Sequence, residues 1–203
     1  AWSTEYVTTR LKNGRKVRPI VANCCNFGTP TPGQPVLLGL DDVETLFHEF
    51  GHALHAILSQ VRYGSLGDTP RDFVELPSQF MENFAVQPEV LKAYAKHYRT
   101  GETIPDELIA KINRAGKFNQ GFATVEYLAA SYLDMDWHTL TEPKEMDAPS
   151  FEKEAMDRIE LPRAIETRYR TPFFRHVFAG GYSSGYYAYI WAEVLSSDAF
   201  AAF

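Results

Sequence analysis

His48 and His52 are separated by three residues, and Glu49 directly follows the first of them, in the run His48-Glu49-Phe50-Gly51-His52. On a helix, residues four apart project from one face a single turn apart, so two imidazoles at this spacing can meet one tetrahedral metal ion. A carboxylate beside the first imidazole can reach a water on that metal and act as its general base. Five residues thus offer two ligands and a base, the H-E-x-x-H pattern of zinc-dependent hydrolysis. Two surface or packed histidines would show the same letters, so the element carrying them has to decide.

That element reads as a helix. Val43, Leu46, Phe47, Phe50, Leu54 and Ile57 recur at steps of three and four, which predicts a helix over 42–59 with these residues on one buried face. Asp41 is its candidate N-cap and Glu44, three residues later, the capping-box partner. A hydrolytic zinc also needs a third protein ligand and one position left for water. Glu75, about two dozen residues beyond His52, is the candidate, at the start of a second predicted helix over 73–84 bearing Phe73, Leu76, Phe80 and Phe84. Its neighbours are apolar, where an unpaired carboxylate is costly. Glu82 and Glu44 compete for the role but read as solvated and capping residues. A fourth protein ligand would close the site, so His55 reads as packing or support, and His138 reads as a helix cap. A purely structural zinc is disfavoured, since it would normally show four Cys or His ligands and no adjacent Glu.

The elements around this pair are predominantly helical. Residues 5–27 predict a β-hairpin turning at Asn13-Gly14, and the Pro- and Gly-rich stretch 28–36 excludes regular structure. A connection through Tyr63, Gly64, Gly67, Asp68 and Pro70 separates the first two helices. Further helices are predicted over 88–99, 106–115, 118–137, 150–159, 162–168 and 186–197. The last is preceded by a glycine-rich segment with Tyr182, Tyr186, Tyr187 and Tyr189, which read either as an aromatic core cluster or as phenols for a developing oxyanion.

Composition narrows the class of protein. With 203 residues, 45% hydrophobic and 14% aromatic, the chain has material for a sizeable core. The net charge of −6 is dispersed, and the only basic stretch, Lys12 to Arg18, decorates the hairpin turn, which argues against a nucleic-acid partner. No apolar run approaches the roughly 20 residues of a membrane helix, and the first residues lack a signal-peptide pattern. Cys24 and Cys25 are adjacent, where mutual pairing is strained, so both read as free thiols suited to a reducing, cytoplasmic compartment. The chain begins without Met and stops within a predicted helix, so residues 1–203 read as the catalytic region of a longer protein, truncated at both ends.

HEFGHALH, then RDFVELPSQFMEN, then HVFAGGYSSGYYAY resemble the thimet oligopeptidase family, and within it the peptidyl-dipeptidase branch. NCCNFGTPTPGQPVLLGLDDVETLFHEFGHALH and FNQGFATVEYLAASYLDMDWHTL extend the likeness over nearly the whole chain. The resemblance implies a mainly α, zincin-like helical catalytic domain with a small N-terminal β-hairpin, part of a larger channel-containing peptidase acting on short peptides. It implies one zinc per chain, held by His48, His52 and Glu75, with Glu49 activating the water. It also implies that Tyr182 and Tyr189 stabilise the tetrahedral intermediate, that His176 and Tyr186 bind substrate, and that an N-terminal part of the parent chain packs against this region. The connection before Glu75, around Leu66 to Pro70, is shorter than the family pattern suggests.

The leading expectation is therefore release of C-terminal dipeptides from short peptides. Internal cleavage by an oligopeptidase of the same family is the nearest alternative. A non-catalytic metal- or peptide-binding module, taking peptide by strand addition to the hairpin, is an alternative of another class.

Overall fold

The computed structural model describes residues 1–203 apart from Arg62, Gly64, Ser65, Pro143 and Lys144, together with the side chain of Lys12. Gly64 of the predicted connection thus lies outside the described residues. The described chain is mainly α-helical and divides into two compact units, Ala1–Lys111 with Trp191–Phe203, and Ile112–Ile190. No helix among the described residues is long and apolar enough to cross a membrane.

The first unit begins with the expected hairpin, in two stages. Strands β2 (Arg10–Lys12) and β3 (Arg15–Val17) pair with Lys12 opposite Arg15, leaving Asn13 and Gly14 as a two-residue turn. Both turn residues have positive φ, 52° and 74°, the conformation that Asn-Gly supports and that matches the twist of the flanking strands. Outside them, β1 (Trp2–Val7) pairs antiparallel with β4 (Ile20–Cys24), with a break in register between Glu5 and Val7. Residues 28–36 form no helix or strand, as their prolines require.

Helix α1 (Leu40–Leu58) packs against β1, β4 and helix α2 (Leu76–Ala85). Its cap differs from the expected one: Gly39 is the N-cap, and its N–H donates to Asp42 Oδ2 at 3.0 Å, so Asp41 and Glu44 lie inside the helix. The face it buries also differs. Leu46, Phe50 and Ile57, predicted to be inside, are 41%, 47% and 47% exposed, whereas Glu49, Gly51 and Ala53 are buried. The reason lies at Gly51, where an added Cβ would stand 2.4 Å from Pro77 O and 2.6 Å from Ser78 Cα. Only a residue without a side chain admits the backbone of α2 this closely, and the helix turns its small-residue side to that contact.

Helix α2 starts later than predicted, because residues 71–75 form turns and Glu75 occupies the N-cap position. Phe80 and Phe84 on α2 meet the rings of Phe200 and Phe203 edge-on, with centroids 5.1–6.1 Å apart. Helix α3 (Pro88–Tyr94) is shorter than the predicted 88–99, and Tyr94 Oη donates to Ala85 O at 2.8 Å, tying it back to α2. Helix α4 (Asp106–Ala115) has the predicted bounds.

The second unit is built on α5 (Gln120–His138) and α6 (Ala148–Arg158), the latter capped by Asp147, whose carboxylate accepts from Ser150 N at 3.0 Å. The helix predicted over 162–168 is absent: Glu160 ends α6 at φ 52°, and the segment makes only an isolated turn from Ile165 N to Pro162 O. Buried Glu152 of α6 accepts from Arg170 Nε at 2.5 Å and from Thr171 N at 2.9 Å, and Trp137 Nε1 donates to Thr171 Oγ1 at 3.0 Å. These bonds fix the 3₁₀ turn Thr171–Phe173 that leads into the short helix α7 (Arg175–Phe178). The final helix, α8, runs Ala188–Phe200.

Candidate metal centre and aromatic cluster

In the first unit, α1 and α2 bring together the three predicted ligands. One ligand atom from each of His48, His52 and Glu75 lies within 4.8 Å of the others. Glu75 Oε2 is 3.3 Å from His48 Nε2 and 3.2 Å from His52 Nε2. Bonds of about 2.0–2.1 Å at the tetrahedral angle set ligand atoms about 3.3 Å apart, so the donor types suit zinc and both carboxylate–imidazole distances match its spacing. Glu75 is 3% exposed and is steadied by Ser78, whose Oγ lies 2.9 Å from Glu75 Oε2 and 2.8 Å from Glu75 O, its one proton shared between them.

Glu82 corrects an expectation. Read as a solvated residue, it places Oε1 2.5 Å from His48 Nδ1. A proton held there leaves Nε2 turned toward Glu75, and a carboxylate in this position orients a ligating imidazole and raises its basicity. Burial alone would push the His48 pKa down, but hydrogen bonds to Glu75 and Glu82 outweigh it and hold the imidazole up at about 9. A proton and a metal ion therefore compete for Nε2 at neutral pH. Glu82 stands on α2 seven residues beyond Glu75, which caps the start of that helix, but its partner His48 is 34 residues away on α1. His55 is half-buried and stands outside the ligand group.

Glu49 is 4% exposed, and its buried Oε2 has no hydrogen-bond partner among the described residues. Burial raises its pKa, opposed by His48 and His52. A buried carboxylate oxygen without a donor, next to a metal ligand, suits an incoming water.

In the second unit, the remaining predicted residues form one aromatic cluster. Tyr182 and Tyr189 stack at 5.4 Å and 15°, and the His176 ring lies 6.1 Å from Tyr182, 5.7 Å from Tyr186 and 6.4 Å from Tyr189. Tyr186 is 3% exposed, stacked on Tyr127 at 5.0 Å and meeting Phe174 edge-on at 4.9 Å. Tyr187 is exposed and takes no part. Tyr127 Oη donates to Tyr186 O, and burial pushes the Tyr127 phenol up to about 12, so it stays protonated. Burial also raises the Tyr186 pKa. Tyr127, Tyr169 and Phe174 were not singled out from sequence, because their rings meet Tyr186 from separate elements and leave no local spacing to read.

The chain thus presents a two-His, one-Glu donor group with a buried carboxylate beside it, the arrangement of a metal-dependent hydrolase. It belongs to Peptidase family M3, whose model matches residues 1–203. It is 46% identical to dipeptidyl carboxypeptidase of Escherichia coli (strain K12) over 98% of this chain and 30% of that protein. It is 39% identical to organellar oligopeptidase A, chloroplastic/mitochondrial, of Arabidopsis thaliana over all of this chain and 27% of that protein. With oligopeptidase A of Escherichia coli the identity is 38%, over all of this chain and 31% of that protein. The chain therefore spans less than a third of the length of these relatives.

Proposed function

We propose that residues 1–203 are the catalytic region of a zinc peptidase that hydrolyses short peptides and releases dipeptides from their C-termini. The observation that carries this reading is the convergence of His48, His52 and Glu75, with the Glu75 carboxylate at tetrahedral spacing from both imidazoles and buried Glu49 beside them. When bound, one zinc per chain would polarise the scissile carbonyl and ease deprotonation of water. Glu49 accepts the proton from the attacking water and passes it to the departing amide nitrogen. Tyr182 and Tyr189 donate phenol hydrogen bonds to the oxyanion, and His176 and Tyr186 bind the peptide, roles supported by the family resemblance. The exposed Leu46, Phe50 and Ile57, with relatives three times as long, support a longer parent chain that covers this side of α1. The two free cysteines support a cytoplasmic setting.

Metal analysis of the wild type and Glu75→Ala tests the site: about one zinc in the first and loss in the second is expected, and stoichiometric zinc in Glu75→Ala would refute the third ligand. The similarity to oligopeptidase A favours internal cleavage as a second reading. A peptide with a blocked C-terminus separates the two, because cleavage of that peptide at an internal bond would sink the dipeptide-releasing reading.

A further inference from the structure

Asp134 of α5 has no part in the chemistry above, yet it is 1% exposed and every oxygen of its carboxylate is engaged. Oδ1 accepts from Ser184 N at 3.0 Å and Oδ2 from Tyr186 N at 2.9 Å. His138, one turn further along α5, brings Nδ1 to 2.8 Å from Oδ1 and 2.9 Å from Asp134 O, which fixes the carboxylate's orientation. The residue read as a helix cap therefore also supports this carboxylate.

The segment held this way has a backbone with few alternatives. Gly181 and Ser184 have positive φ, 81° and 54°, and a Cβ at Gly180 would stand 2.8 Å from His176 O. Tyr182 N donates to His176 O at 3.0 Å, and Gly185 N donates to Tyr182 O at 2.8 Å. Ser184 and Tyr186 N–H groups lie ahead of α8, and no backbone carbonyl within the segment takes them. A buried charge that could have been replaced by an apolar side chain instead satisfies these two donors, on either side of Gly185 between Tyr182 and Tyr189.

We infer that Asp134 is a positioning residue for the tyrosine-bearing segment, setting the places of the Tyr182 and Tyr189 phenols through the Ser184 and Tyr186 amides. This rests on the proposal that those tyrosines act on the substrate. Loss of the anchor leaves the metal ligands of the first unit untouched and displaces phenols that must be placed to within a fraction of an ångström.

The test uses the full-length zinc enzyme with Asp134→Asn, which keeps the shape and one acceptor oxygen, alongside Asp134→Ala. Zinc stoichiometry and KM should hold within about threefold while kcat falls about tenfold in Asn and about 100-fold in Ala, the scale of an ångström-sized misplacement. Hydrogen exchange should show the Ser184 and Tyr186 amides protected in the wild type and losing protection in both variants. In a Tyr182→Phe, Tyr189→Phe background, Asp134→Asn should cost less than about twofold more, because coupled residues are not additive. Full amide protection in Asp134→Asn, or an undiminished kcat loss in the double-Phe background, would overturn the inference. Wild-type kcat in the double-Phe enzyme would instead sink the role of the tyrosines, leaving the anchor to stand or fall on amide protection.

Discussion

The two groups of candidate residues are held in opposite ways. In the first unit, ionisable side chains on α1, on α2 and at the N-cap of α2 converge through short polar contacts, and His48, His52 and Glu82 stand on regular helix. In the second, phenols and an imidazole are wedged by ring packing, and Tyr182 and Tyr186 sit on an irregular stretch between α7 and α8 that Asp134 anchors and that turns at Gly181 and Ser184. A polar group on a rigid helix can lose one atom and keep its geometry. A packed ring on an irregular segment couples chemistry to shape, so a change to its support is felt as a change in function.

Glu49→Gln should break the comparison most sharply: kcat falls by about 10⁴-fold, the upper range for a general base, while zinc stoichiometry by metal analysis stays at that of the wild type. Comparable turnover in this variant would remove Glu49 as the base. Tyr182→Phe should lower kcat by about 10²–10³-fold, as for loss of an oxyanion donor, with melting temperature little changed because the ring stack survives. An unchanged kcat with lowered stability would return Tyr182 to a packing role.

Gly51→Ala tests the first group through its scaffold. The clash with Pro77 and Ser78 should cost about 2–3 kcal/mol in denaturant unfolding and weaken zinc binding, by pushing Glu75 away from the histidines. Stability at the wild-type level would mean that the helices separate freely. Glu82→Gln should weaken zinc by about tenfold in chelator competition, the lower range for loss of a supporting carboxylate. The smallest effect is on pH dependence. The base works deprotonated, and burial raises the Glu49 pKa, so the acid limb of kcat/KM should lie above the ordinary value of 4.5, activity falling as pH drops through it. A limb at or below 4.5 would contradict this.

Legibility in the sequence followed the same division. His48, Glu49 and His52 were readable because one helix carries them at a fixed period, and Glu75 because an apolar setting makes a lone carboxylate conspicuous. Asn13-Gly14 announced its turn for a comparable local reason. The buried side of α1 was misread because large apolar residues suggested the packed face, whereas close backbone approach selected glycine and alanine. Asp134 was missed, and Glu82 was read as solvated, because their partners lie 50 and 34 residues away, and no periodicity within one element records such pairs.

Gly51 also bears on how the first unit assembles. A glycine inside a helix disfavours that helix by about 1 kcal/mol relative to alanine when it stands alone. For the 19-residue α1 the disadvantage is offset only when the backbone of α2 arrives against it. The contact that compensates Gly51 is therefore also the one that sets the helix of the histidines against the start of α2, where Glu75 stands.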